Sequence, residues 1–361
     1  MTIVNIMWSD GEAYASVHKV HNQILSWCAG SEFESWILIE GASPCCKERG
    51  QIKRWNFSSR QIRGRNFWSL LRSSVRDKLR RRLAEIQASL LLLDGIGVAR
   101  LVVPLVETLP GAQAVVMFHG RCRLKPSDVT LLSSRHVQIV AVSEALATWL
   151  REELNRPVLA QRFAHNPQQY RASLLVKEEA RQALGYHFHD RFLFGAIGRL
   201  ASEKGFDLVI SALGKLPVST PPWHLLILGE GAERVNLEAL CVRYGVQDHV
   251  SFAGHRPDAE QLYKAFDTLL IPSRQEGLGL VLQEAILSGI PVICSDLSVF
   301  REQLKASGLY VSTGDSEAWS RAITSVFNYN LSSVATSQYE SLDPDLSWNS
   351  FRDGFKQILQ T

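Results

Sequence analysis

Two successive sets of short β-rich apolar runs, with helical segments between them, predict an α/β protein of two doubly wound domains. The length of 361 residues fits, since one domain takes roughly 150. A polar Asn-Pro turn in HNPQQYRAS falls between the sets and marks the domain boundary. In the first set TIVNIMW, SWILIE, SLLLLDG, AVVMFHG, VQIVAVS and PVLAQRFAHNP read as strands, half of them ending in Gly or Ser. Such runs are what parallel strands buried on both faces look like. The rhythm restarts with FLFGAIGRL, HLLILGEG, VSFAG, TLLIPS and PVICSD. Beyond LDPD, the segment LSWNSFRDGFKQIL spaces Leu346, Phe351, Phe355 and Leu359 at helical intervals. The expected organisation is a domain over 1–168, a second over 169–343, and a terminal helix over 344–361 that packs back on the first.

Composition narrows the class. With 46% hydrophobic and 21% charged residues and no low-complexity tract, the chain reads as globular. No stretch approaches the ~20 apolar residues of a membrane span, and MTIVNIMWSD enters a strand pattern, not a signal peptide, so a cytoplasmic location is expected. The six cysteines, at 28, 45, 46, 122, 241 and 294, form no CxxC pair and no cluster with zinc spacing. They read as reduced thiols. The net charge of +3 conceals a local excess, because Asp77 alone opposes eleven basic residues between Lys53 and Arg82.

The stretch EGLGLVLQEA follows the strand TLLIPS and precedes SGIP, so it reads as a turn entering a helix from Leu280 to Leu287. Ligands of open α/β sheets bind beyond the carboxyl ends of the strands, which puts Glu276 at the rim of a binding site. A helix starting near Gly279 would place Leu280 and Glu284 on one face, with its first N–H groups aimed at the ligand. A diphosphate suits those donors. On the turn alone, Glu276 could equally be complementing the helix dipole and Glu284 could be a solvated side chain. After the first strand of the second set, GRLASEKG carries Arg199 and Lys204. A guanidinium fork and an ammonium together can neutralise a dianionic phosphate, although taken singly such residues are usually just solvated.

In order and spacing, AIGRLASEKGFD, LLILGEG, VSFAGH and TLLIPSRQEGLGLVLQEAILSGIPVICSD resemble the retaining GT-B glycosyltransferases of family GT4 across roughly Phe192 to Glu302. The family's E-x7-E pair is matched by Glu276 and Glu284. The resemblance implies a GT-B fold, two Rossmann-like domains with an interdomain cleft, and a UDP-sugar as the favoured donor. It implies that Glu284 binds the ribose hydroxyls and Glu276 the hydroxyls of the donor sugar. Arg199 and Lys204 would hold the diphosphate, helped by backbone amides around Gly277, Leu278, Gly279 and Leu280. Gly229 and Gly231, together with the segment from Phe252 through His255 to Arg256, would border the base. In VMFHGR, His119 stands where relatives carry a histidine facing the donor sugar, while Ser143 and Asn166 match architectural landmarks. Relatives often have a double glycine after the first strand. Here WSDGEAYAS has Gly11 alone, a donor-site residue by position whose contact with phosphate stays open. The resemblance also implies retention of anomeric configuration, no cofactor and no obligatory metal; the triplet Asp343 to Asp345 reads better as a turn and helix start than as a metal-binding DxD.

RNFWSLLRSSVRDKLRRRL mixes Phe67, Trp68, Leu70 and Leu71 with arginines. That composition suits an anionic bilayer, where each basic side chain contributes roughly 1 kcal/mol, though a charge run is more often a solvated helix face. No nucleic-acid module accompanies it, and no nucleic-acid partner is expected. The expectation is an enzyme held peripherally on the inner face of the cytoplasmic membrane, acting on a lipid-linked, lipopolysaccharide-core or other envelope-glycan acceptor. A GT-B-type nucleotide-sugar epimerase and a non-catalytic nucleotide-sugar-binding protein are the rivals. A dehydrogenase fits less well, because GxGxxG is missing after the first strand.

Overall fold

The computed structural model describes residues 1–11, 15–27, 32–41, 50–63, 69–185 and 191–360. Cys28, Cys45, Cys46, Arg65, Phe67 and Trp68, singled out above, lie outside them. The chain forms two compact units, Met1–Phe163 with Ser350–Thr361, and Ala164–Asn349.

The first unit holds β1 (Thr2–Ser9), β2 (Glu32–Ile39), β3 (Gln51–Arg54), β4 (Ala88–Asp94), β5 (Gln113–Phe118), β6 (Val137–Ala141) and β7 (Leu159–Ala160). They form one parallel sheet in the order β3-β2-β1-β4-β5-β6-β7. The second unit holds β8 (Phe192–Ile197), β9 (Trp223–Leu228), β10 (Val250–Gly254), β11 (Thr268–Ile271), β12 (Val292–Ser295) and β13 (Leu309–Val311). These pair in parallel in the order β10-β9-β8-β11-β12-β13. Helices on both faces bury each sheet, so Leu91, Leu92 and Leu93 of β4 and Leu225, Leu226 and Ile227 of β9 are fully inaccessible. Strand order reverses between β1 and β4 in one unit and between β8 and β11 in the other. Crevices for ligands open at such switch points.

Two strands are poorly announced by the pattern: the mostly exposed edge strand β3, which has no apolar run, and β13, whose apolar run is only three residues long. Ser143 and Asn166 cap helices, accepting from the N–H groups of Leu146 and Gln169. Asp343 adopts a left-handed conformation at a helix end, and the final helix Pro344–Gln360 follows directly. Its Phe351 and Phe355 are fully buried, and Phe351 packs edge-on against Trp27 and Phe163 at ring separations of 4.8 and 4.9 Å. Leu346, expected on the same face, is 61% exposed, so the apolar stripe begins nearly a turn and a half later than its spacing implied.

The basic stretch needs a correction as well. Helix Ser69–Glu85 buries Val75, Leu79 and Leu83 in an i, i+4 stripe, and Arg72 and Arg76 flank that same face. Their guanidinium groups donate to the carbonyl of Arg100 at 2.7 and 2.9 Å. Pro104, four residues on within helix Gly95–Val106, lacks the N–H that would have served this carbonyl. The two arginines therefore satisfy a backbone acceptor orphaned by a proline. Arg82 pairs with Glu34, and Arg54 with the buried Asp10. These four cations are engaged within the unit; of the other described members, Arg60, Lys78, Arg80 and Arg81 are exposed. Among the described residues, no helix is long and apolar enough to cross a membrane.

Candidate active site

At the switch point of the second unit, the loops leaving β8 and β11 are fastened to each other. The β8 loop makes a single 3₁₀ turn, Ser202–Lys204, and ends at Gly205 with φ +69°. A Cβ at Gly205 would lie 2.1 Å from the Pro272 carbonyl oxygen, so only glycine lets the loops meet. The Arg274 N–H donates to the Glu203 carbonyl at 2.8 Å. Its guanidinium donates to the Ser202 carbonyl at 2.7 Å and to both Asp207 oxygens at 2.7 and 2.6 Å. Arg274 lies within a quoted motif but drew no role from the sequence. The structure makes it the clasp of the two loops.

This clasp brings Lys204 and Glu276 together. The Lys204 Nζ donates to Glu276 Oε1 at 2.5 Å, and the Ser273 hydroxyl donates to the same oxygen at 2.9 Å. Both side chains are mostly buried, 24% and 13% exposed. Arg199 is 53% exposed and pairs with Glu203 at 2.5 Å. Such a surface pair contributes no more than about 1 kcal/mol, so the guanidinium can be redirected to an anion at small cost.

The helix Leu280–Leu287 begins at Gly279, with φ +77° and no side-chain cap. Its start is set by a buried amide chain in which Gln283 donates to Gln303 at 2.9 Å and Gln303 donates to the Leu278 carbonyl at 2.8 Å. Helix geometry leaves the first-turn N–H groups without intrahelical acceptors, which makes this end a place for an anion. One turn in, Glu284 is only 4% exposed, which removes the solvated alternative. Its Oε2 accepts from the Tyr263 hydroxyl at 2.6 Å, and His165 Nε2 lies 3.6 Å from Oε1. Burial, reinforced by the Glu284 charge, pushes the Tyr263 hydroxyl well above its ordinary pKa and keeps it a donor.

The residues expected around a base divide. A Cβ at Gly229 would lie 1.8 Å from the Gly198 carbonyl oxygen and one at Gly231 2.3 Å from that of Leu200. These glycines admit the backbone that carries Arg199, and the Leu200 N–H donates to the Glu230 carbonyl at 2.8 Å. His255 is exposed. Arg256 is committed to Asp258 at 2.7 and 2.8 Å and to the Ala183 carbonyl at 3.2 Å, a link internal to the unit.

In the first unit Gly11 packs backbone to backbone against Gly41, and the adjacent Asp10 accepts from the Gly41 N–H at 2.6 Å. His119, just past β5, is partly exposed; its Nε2 lies 3.1 Å from Nε2 of the buried His21. Desolvation, with the nearby His18 second, lowers its pKa to about 4, so the ring is neutral near pH 7. Asp94, at the end of β4, accepts from the Trp8 N–H at 3.2 Å, and burial raises its pKa to about 6. Between its unfolded value and 6 the folded state binds the extra proton, so this group's contribution falls as pH rises through that window and stays reduced above it. Asp94→Asn is expected to stabilise the protein at pH 7 by on the order of 2 kcal/mol and to have little effect near pH 4. Urea unfolding at the two pH values measures the difference; an equal effect at both would contradict the raised pKa.

Two parallel-sheet doubly wound units, the second carrying a carboxylate pair on a strand-turn-helix beside a loop cation, have the architecture of GT-B glycosyltransferases. Residues 176–340 match the family described as glycosyl transferases group 1. The chain is similar to the lipopolysaccharide core biosynthesis mannosyltransferase LpsB of Rhizobium meliloti (strain 1021), 30% identical over 151 residues, covering 39% of this chain and 43% of that protein. It is similar to the lipopolysaccharide core biosynthesis glycosyltransferase LpsE of the same organism, 32% identical over 168 residues, 45% of this chain and 48% of that protein. The chain thus spans less than half the length of these curated relatives. Its fold is similar to that of Anabaena Alr3699/HepE solved in complex with UDP, with a TM-score of 0.79, 17% identity and 100% of both chains covered.

Proposed function

We propose that this chain is a retaining glycosyltransferase that moves a sugar from a nucleoside diphosphate, UDP by preference, to a lipid-linked or lipopolysaccharide-type glycan acceptor without an obligatory metal. The observation that carries the proposal is the clasped pair of loops, which sets Lys204, Glu276 and a helix N-terminus around one switch point. Cleavage of the sugar–phosphate bond develops negative charge on the diphosphate, and preorganised donors stabilise it. When the diphosphate arrives, Lys204 turns from Glu276 to phosphate and frees Oε1 of Glu276 to accept a hydroxyl of the sugar. The departing phosphate oxygen takes the acceptor's proton as the new glycosidic bond forms on the same face. Glu284, fixed by Tyr263, serves the ribose.

The names of LpsB and LpsE support an envelope-glycan acceptor, and the UDP of the HepE complex supports the nucleotide. A thermal-shift screen of nucleotide sugars, followed by a transfer assay with the selective stabiliser, tests the proposal. One nucleotide sugar is expected to raise the melting temperature and to be consumed only when a glycan acceptor is added. Free epimerised sugar nucleotide would favour the epimerase, and stabilisation with no turnover on any glycan the binding protein.

Docking at the inner face of the cytoplasmic membrane belongs to the same proposal and now rests on Arg60, Lys78, Arg80 and Arg81, with Leu70, 75% exposed, near the start of the helix that carries the last three. Replacing Lys78, Arg80 and Arg81 by Ser is expected to abolish co-sedimentation with phosphatidylglycerol vesicles at low salt while leaving donor binding intact. Arg82 is left in place because it pairs with Glu34. Equal sedimentation of the variant would make this an ordinary solvated face.

A further inference from the structure

β1 carries an amide in an otherwise apolar interior. Asn5 is fully buried among Ile3, Val4, Ile6 and Met7, none more than 1% exposed. A buried polar side chain is costly unless it is hydrogen-bonded. Asn5 Oδ1 lies 2.7 Å from Nδ1 of His21, which projects from helix Ala15–Leu25 and is itself fully buried. The amide nitrogen faces the Ser35 hydroxyl at 3.5 Å, across a register pair of β1 and β2. The chain of contacts ends at Nε2 of His119, 3.1 Å from Nε2 of His21.

We propose that His21, held by Asn5, is a positioning residue that fixes His119 as the Nε2–H tautomer and leaves Nδ1 of His119 to accept a hydrogen bond from a sugar hydroxyl of the substrate. The inference rests on the proposed function and deepens the role given there to the site. The proton order follows from the acceptors. Asn5 Oδ1 can only accept, so His21 Nδ1 carries the proton and donates. Burial, with His119 and His18 adding to it, lowers the His21 pKa well below the ordinary value, and the ring is neutral. A neutral ring protonated on Nδ1 has only a lone pair on Nε2. The contact between the two rings is a hydrogen bond only if His119 supplies the proton from its own Nε2. His119 is then an oriented acceptor at Nδ1, as when a buried partner sets the tautomer of a catalytic imidazole.

Long-range proton–nitrogen NMR spectra of the whole chain read the tautomers directly. The wild type is expected to show His119 protonated on Nε2 and His21 on Nδ1, and His119 protonated on Nδ1 would overturn the inference without any variant. His21→Phe is expected to let His119 populate both tautomers and to lower kcat by about 10- to 100-fold with donor KM changed less than about threefold. His21→Gln restores an acceptor toward His119 and is expected to recover most of kcat. Wild-type kcat in His21→Phe, with His119→Ala inactive, would sink the inference and leave the proposed function standing. Full activity in His119→Ala would likewise overturn the inference, since no hydrogen bond to His119 would then matter to turnover.

Discussion

Lys204→Ala is expected to lower turnover at saturating donor by about 100- to 1000-fold, the loss found when one preorganised donor to a developing anion is removed. The expectation follows from how the lysine is held. Its loop is closed by Gly205 against Pro272 and by Arg274 against Ser202, Glu203 and Asp207, so Nζ arrives with little freedom left to lose. Glu276 pairs with it at 2.5 Å, which keeps a mostly buried ammonium compensated. Truncation removes the cation and leaves Glu276 Oε1 with the Ser273 hydroxyl as its partner among the described residues. Steady-state kinetics with a folded variant, checked by its melting temperature, decide the matter; near-normal turnover would take Lys204 out of the mechanism. Arg199 should be the more forgiving position for a conservative change, because it is half exposed and its partner Glu203 is only four residues away.

The parts of the molecule legible in the sequence are those that depend on neighbours along the chain. Apolar runs gave strands β1, β2, β4 and β5, and the Asn-Pro turn lies at the start of the second unit. The Glu276 turn and the Glu284 helix were readable because strand, glycine turn and helix follow one another within twenty residues or so. What escaped are contacts between distant residues. Tyr263 reaches Glu284 across 21 positions, Arg274 reaches Asp207 across 67, and His21 reaches His119 across 98. No periodicity encodes such pairs. Asn5 alone left a trace, since an amide in the middle of a buried apolar strand requires a partner. The basic stretch was over-read for the same reason. Charge can be counted in the sequence, but that Arg72 and Arg76 turn inward depends on Pro104 having orphaned a carbonyl on another helix.

Glu284→Gln is expected to weaken donor binding by about 10- to 100-fold, since hydrogen bonds to a charged acceptor contribute about 1.5–3 kcal/mol, while kcat at saturating donor changes little. The nucleotide's ribose is held alike before and during sugar transfer, so its contacts lower the ground state and the transition state together. The structure explains why the substitution can be made cleanly. Glutamine keeps a carbonyl oxygen for the Tyr263 hydroxyl, which at 2.6 Å fixes the carboxylate in wild type, and it fills the same buried space. Alanine does neither. Glu284→Ala leaves the Tyr263 hydroxyl buried and without that acceptor, and should cost a further 1–3 kcal/mol of stability, roughly, on top of the lost affinity. Tyr263→Phe separates the two effects: the carboxylate stays charged but loses its anchor, so affinity should fall less than in Glu284→Gln, again with kcat preserved. Calorimetric titration with the nucleotide alone and with the nucleotide sugar measures the affinities. A fall in kcat at saturating donor with unchanged affinity would place Glu284 at the reacting sugar, not at the ribose, and would exchange its role with that of Glu276.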